Sequence, residues 1–262
     1  MKRLDKKVAV VYGNGTTGSA IAKAFAREGA TVFLAGRTPE KLESIANEIR
    51  SAGGIIETAH LDALDQSAIG SHMENIIKKA GRIDISYNAI GIPQTGVQGI
   101  PLTELSLEGF SRPLNTYTQS HFITSKAATK HMMIQGNGVI IAHTPTPGKI
   151  SQPFVGAMPL VWAAIEALCR SLSVEYGQYG LRAVCLHTTA LPETPLIDEV
   201  YGLHGKSNGI SYEQFHAAMV ARTHRRRLTT LEELVNAAVF VASDEGSAIS
   251  GTILNLTAGM VV

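Results

Sequence analysis

The sequence is short of the features that mark secreted, membrane or nucleic-acid-binding proteins. It has two cysteines, Cys169 and Cys185, both in apolar surroundings. That excludes a disulfide scaffold and leads us to expect buried free thiols in a reducing compartment, the cytoplasm. No run approaches the roughly eighteen apolar residues that a spanning helix needs. The basic stretch Met1 to Lys7 is followed by an apolar run that stops at Gly13, too short for a secretory signal. Charge of neither sign is in excess: 23 Lys and Arg face 22 Asp and Glu. Composition therefore gives no case for nucleic acid or an anionic membrane surface. His224-Arg225-Arg226-Arg227 is the most basic run, and on a neutral chain it reads as a solvated approach to a helix. No Pro-, Gly- or Ser-rich linker divides the chain, so a single domain over residues 1–262 is expected.

What is present is a large apolar fraction, 45%, enough for a sizeable core, arranged as alternating strand and helix patterns. Strands are expected at Val8–Tyr12, Thr31–Ala35, Ile55–Leu61, Ile83–Asn88, Val139–Ala142, Leu181–Leu186 and Thr252–Leu256. Helices are expected at Ser19–Glu28, Pro39–Ala52, Asp65–Ala80, Phe110–Gln135, Met158–Tyr179 and Leu231–Ala242. Leu191 to Arg227 is a polar segment with weak helical patterns. Repeated strand–helix units predict an α/β fold, a doubly wound parallel sheet covered by helices on both faces. Ligands of such sheets bind beyond the carboxyl ends of the strands, where strand order reverses.

Gly13-Asn14-Gly15-Thr16-Thr17-Gly18 stands between the first strand and the first helix. This is the context that the G-x-G-x-x-G dinucleotide fingerprint requires. The first glycine makes the turn, the second admits a pyrophosphate, and the third lets helix and strand pack closely. An NAD-binding fold places an acid about 20 residues further on. Here the chain reads Ala35-Gly36-Arg37. No carboxylate is there to repel a ribose 2′-phosphate, and Arg37 offers charge-assisted hydrogen bonds to one. NADP(H) is therefore expected over NAD(H). Asp62 either accepts from the adenine amino group or caps the next helix.

These residues resemble the short-chain dehydrogenase/reductases, with the layout of ketoacyl and enoyl reductases. The resemblance runs along essentially the whole chain. It includes Gly13 to Gly18 (one residue shorter than the usual T-G-x-x-x-G-x-G), Gly36-Arg37, Asp62 and Gly81-Arg82-Ile83-Asp84. Asn88-Ala89-Ile90-Gly91 stands where N-N-A-G is usual. Further on come Arg227-Leu228-Thr229-Thr230-Leu231-Glu232-Glu233, Ala242-Ser243-Asp244 and Ser250-Gly251-Thr252. The resemblance implies an oxidoreductase acting on a small-molecule substrate, a homotetramer, and Leu191 to Arg227 as the substrate lid. It implies that Asn115 holds a proton-relay water, that Asn88 and Gly91 border the cofactor, and that Thr188 and Thr189 reach the nicotinamide amide.

The family's catalytic Tyr-x-x-x-Lys is missing. Four residues after each of the seven tyrosines stand Thr16, Gly91, His121, Gly180, Ala183, Gly205 and His216, never Lys. Counting back along the helix that carries Cys169 puts Met158 at the Tyr position and Trp162 at the Lys position, with Pro145 near the usual Ser. Met158 donates no proton, and Trp162 carries one N–H and no charge. His143 and His187 end strands that should face the crevice, and His143 is the candidate replacement acid. Three readings stay open: an oxidoreductase with an altered site, a nucleotide-binding subunit or regulator without hydride chemistry, and a lyase or isomerase on the same fold.

Overall fold

The computed structural model describes residues 2–261. Seven parallel strands form one sheet: β1 (Val8–Tyr12), β2 (Thr31–Gly36), β3 (Ile55–His60), β4 (Ile85–Asn88), β5 (Gly138–Pro145), β6 (Leu181–Thr188) and β7 (Thr252–Leu256). Their order across the sheet is β3-β2-β1-β4-β5-β6-β7. The chain thus winds outward from β1 in one direction and, after β3, in the other. The reversal lies between β1 and β4, where ligand crevices form in such sheets.

The helices are α1 (Thr16–Arg27), α2 (Pro39–Ser51), α3 (Gln66–Ala80), α4 (Leu107–Gln135), α5 (Met158–Tyr176), α6 (Pro195–Ser207), α7 (Tyr212–Ala221) and α8 (Leu231–Ala242). One core packs α1, α2 and α8 on the sheet through Phe25, Ile45 and Leu234. The other packs α3, α4 and α5 through Met73, Met132 and Ile165. A third cluster of Tyr201, Phe215, Met219 and Leu228 holds α6 and α7 together.

Local chemistry explains where the observed elements differ from those expected. The first helix begins at Thr16, inside the glycine motif, and its N-cap Gly15 provides no side-chain cap. Its first N–H groups are therefore left for a ligand. The long helix starts at Leu107 because Ser106 caps it, accepting from Gly109 N. Strands β5 and β6 run on to Pro145 and Thr188 because their register continues through Thr144↔His187 and Pro145↔Thr188. The segment 191–227 contains two defined helices, the second begun by a Ser211–Gln214 capping box. Asp65, not Asp62, caps α3, accepting from Ser67 N and Ala68 N. The motif at 81–84 is structural: Gly81 ends α3 in the left-handed region, and buried Asp84 accepts from Val8 N at 2.8 Å.

Candidate functional site

A cavity of about 830 Å³ opens at the carboxyl ends of the strands. At one end it is floored by the glycine turn. A Cβ on Gly13, whose φ is +103°, would lie 2.5 Å from Ala89 O, and one on Gly18 would lie 1.9 Å from Gly13 O. Both glycines are required by close backbone approach. A Cβ on Gly15 would meet nothing within 4 Å, which leaves an open cradle in front of the α1 N-terminus. Asn14 donates its amide to Thr38 O at 2.9 Å, and a Cβ on Gly36 would strike its Oδ1 at 2.7 Å. Thr16, Thr17, Arg37, Lys41 and Ser44 also line this end. These features fit a dinucleotide: unpaired helix N–H groups for a pyrophosphate and two cations for a further phosphate. Arg37 is spent on little else; its side chain is 63% exposed and 3.9 Å from Asp62. Asp62 itself accepts from Leu64 N and lies outside the lining.

Asn88 and Gly91 also line the cavity. Asn88 is buried, donating to Thr124 Oγ1 at 3.1 Å and accepting from Ile90 N at 3.0 Å. It braces the loop that Ile90, Gly91 and Ile92 form over the cavity. Thr189 lines the cavity, whereas Thr188 is fully buried behind it and bonds His143 Nε2 at 2.8 Å.

The other end corrects several expectations. Asn115 is exposed on α4 and takes no part in the lining. Two residues along a helix turn a side chain by roughly 200°, and it is Tyr117 that faces inward, with His121 one turn on. The Tyr117 hydroxyl accepts from Ile92 N at 3.3 Å. His143 does line the cavity, but burial, with smaller contributions from His187 and His121, lowers its pKa to about 3. It is neutral at physiological pH and has no imidazolium proton to give. His187 is 1% exposed and turned to the opposite face of the sheet, where its Nδ1 lies 3.1 Å from Thr144 Oγ1 and 3.3 Å from Glu166 Oε1.

Met158 and Trp162, 2% and 8% exposed, project from the first turns of α5 into the lining. Glu166 follows one turn later and is buried beneath Trp162, where it meets Lys149 Nζ at 2.8 Å and accepts from Thr144 Oγ1 at 3.2 Å. Burial alone would raise the Glu166 carboxyl; His187 and Lys149 outweigh it and hold the pKa below its usual value. This network ties the loop after β5 to α5, and with it Pro145 and Pro147 of the cavity wall.

Sequence reasoning missed Lys41, Gln94, Gln98, Glu199 and His204 among the lining residues. Lys41 was within reach, since it lies one turn after Arg37 at the start of a helix. The others are brought in by loops and by α6, whose placement no spacing rule gives.

A family model described as enoyl-(acyl carrier protein) reductase matches residues 14–261. The chain is 31% identical to an uncharacterized oxidoreductase of Thermotoga maritima, over 97% of this chain and 96% of that one. Among solved structures, NAD+-bound xylitol dehydrogenase matches at a TM-score of 0.91 and 22% identity, over 98% of this chain and 100% of that one. A gluconate 5-dehydrogenase from Burkholderia cenocepacia, in complex with NADP and tartrate, matches at 0.86 and 23%, over 98% and 96%. At these identities the two structures show a shared fold. Taken with the strand order and the glycine turn, the match along nearly the whole chain makes this protein a member of the short-chain dehydrogenase/reductases, a family of oxidoreductases.

Proposed function

We propose that the protein is an NADP(H)-binding oxidoreductase with a remade catalytic end, acting on a small molecule held under α6 and α7. The observation that carries the cofactor reading is the cradle: an uncapped α1 N-terminus behind Gly15, with Arg37 and Lys41 beside it and no carboxylate at the end of β2. Gly13, Gly15, Thr16 and Thr17 would hold the pyrophosphate, and Arg37 with Lys41 the 2′-phosphate. A bound nicotinamide would supply or accept a hydride. Asn88 and Thr189 keep the adjoining wall in place through Thr124 and Thr229. Met158 and Trp162 stand where the family's Tyr and Lys are expected, so proton delivery has no ordinary donor there. The same observation favours a second reading, a cofactor-binding subunit without turnover.

Calorimetric titration with NADP+ and NAD+ tests the cofactor. A charge-assisted contact is worth roughly 1.5–3 kcal/mol, about ten- to a hundredfold in affinity. NADP+ is expected to bind at least tenfold tighter, and Arg37→Ala to abolish the difference. Equal affinities in the wild type overturn the assignment.

A further inference from the structure

We infer that the substrate end of the cavity takes an uncharged, largely apolar alicyclic or aryl compound and rejects carboxylates and phosphates. This rests on the reading that substrate and cofactor share the cavity. The charges are distributed to that effect. Among the described lining residues, Arg37, Lys41 and Glu199 carry charge at neutral pH. The two cations follow β2, on one side of the strand reversal, and the carboxylate is on α6, which follows β6 on the other side. An anionic substrate would thus find its cations at the wrong end and a fixed negative charge at its own.

Several of the polar groups of this end bond one another, while His121 Nε2 is buried without a partner among the described residues. Glu199 Oε1 accepts from Gln94 N at 2.9 Å, Thr95 N at 2.7 Å and Thr95 Oγ1 at 2.8 Å. Gln98 donates to Gln94 Oε1 at 2.8 Å and meets His204 Nε2 at 3.1 Å. Burial lowers the pKa of His204 and of His121 to about 4, so neither offers a cation. Outside the lining, Lys149 is taken by Glu166, and Arg222 donates to Gln152 Oε1 at 3.1 Å. What is left for a ligand is uncharged and mainly apolar: Ile92, Met158, Trp162, Val200, Phe215 and Met219, beside the neutral groups of Tyr117 and His121. His204 stacks on Phe215 at 5.2 Å, and Tyr201 meets the same ring edge-on at 5.1 Å, giving the wall flat aromatic faces. A carboxylate brought here loses its water and gains no cation, a cost that apolar pockets impose on any uncompensated charge.

Trp162 is the chain's single tryptophan and lines this end, so its fluorescence reports occupancy without turnover. The test uses a matched pair, 4-(4-oxocyclohexyl)benzoate and its methyl ester, titrated in the presence of NADP+ at pH 7.5. The ester is expected to change Trp162 emission with a Kd at least tenfold below that of the carboxylate. Glu199→Gln keeps the Oε1 acceptor for Gln94 and Thr95 and removes the charge, and is expected to narrow the gap several-fold by strengthening carboxylate binding. Equal or tighter binding of the carboxylate by the wild type overturns the inference, as does the absence of any response to either ligand. An unchanged gap in Glu199→Gln overturns the part assigned to that carboxylate. NADP+ titration alone scores the cofactor reading separately. A protein that binds NADP+ and prefers the carboxylate keeps that reading and loses this inference; one that binds the ester but not NADP+ does the reverse.

Discussion

The Tyr117 ring stands edge-on to the indole of Trp162, with centroids 4.9 Å apart and planes at 60°. This contact joins α4 to α5 across the catalytic end of the cavity. It puts the Tyr117 ring against Trp162, the residue at the position where the family resemblance calls for a lysine. Edge-to-face pairs of this kind contribute about 0.5–1.5 kcal/mol beyond the area they bury. This end of the cavity is therefore packed with aromatic rings, and installing a Tyr and a Lys in it means changing more than one residue.

Reduction of small ketones by the wild type is expected to be weak. General-acid catalysis by a positioned side chain is worth about 10²–10⁴-fold, and Met158 supplies none of it. Met158→Tyr and Trp162→Lys act on one unit, so the double variant is expected to gain more than the product of the single gains. NADPH oxidation with a ketone panel measures this for the wild type, both singles and the double. Robust wild-type turnover would show that another group delivers the proton, with the Tyr117 hydroxyl the first to test by Tyr117→Phe.

Gly13 and Gly15 should separate folding from binding. Gly13→Ala forces a side chain at φ +103° into Ala89 O and is expected to lower stability by about 1–3 kcal/mol. Gly15→Ala meets no protein atom and should unfold with the wild type. Its methyl enters the cradle, and NADP+ affinity should fall at least tenfold. Thermal unfolding and calorimetry on the two variants decide it; a Gly15→Ala protein that binds NADP+ normally would remove the pyrophosphate from this turn.

Stability is expected to fall as the pH drops below about 6.5. Burial lowers the pKa of His121 to about 4 and that of His143 to about 3. The folded state thus keeps both neutral while the unfolded chain takes up protons near the ordinary value. Their contribution is complete above about pH 6.5 and is lost progressively toward pH 4 and below, by up to about 1.4 kcal/mol per pH unit for each histidine. Urea midpoints between pH 7.5 and 5 measure the slope, and His121→Gln should flatten it. A midpoint independent of pH over this range would refute the assignment.

A homotetramer remains our proposal for the assembly. Phe122 and Ile134 on α4 are 51% and 89% exposed, and Leu160 and Val174 on α5 are 50% and 84% exposed. Apolar side chains open to water on two neighbouring helices favour pairing of like surfaces. Light scattering should give about four times the 27.9 kDa chain mass, and Ile134→Glu with Val174→Glu should give smaller species. A monomeric wild type at micromolar concentration would refute the proposal.

The sequence by itself determined the sheet, the glycine turn that floors the cavity and the absence of Tyr-x-x-x-Lys. Each is written in short-range terms: apolar runs between turn residues, glycines at fixed offsets in one loop, and a spacing that is present or absent. Gly13, Gly15, Arg37, Asn88 and Gly91 could be placed at the cavity because a strand end and the first turn of the next helix fix where they point. Tertiary structure decided the rest. Asn115 and Tyr117 share a helix, yet two residues of rotation leave one in solvent and turn the other to the cavity, which only the docking of α4 on the sheet sets. His143 and His187 end adjacent strands, yet the pleat sends one to the cavity and the other to Glu166. The far wall of the cavity brings together Gln94, Gln98, Glu199, His204 and Phe215, residues up to 121 positions apart. No local pattern joins them, because what brings them together is the packing of α6 and α7 against the loop after β4.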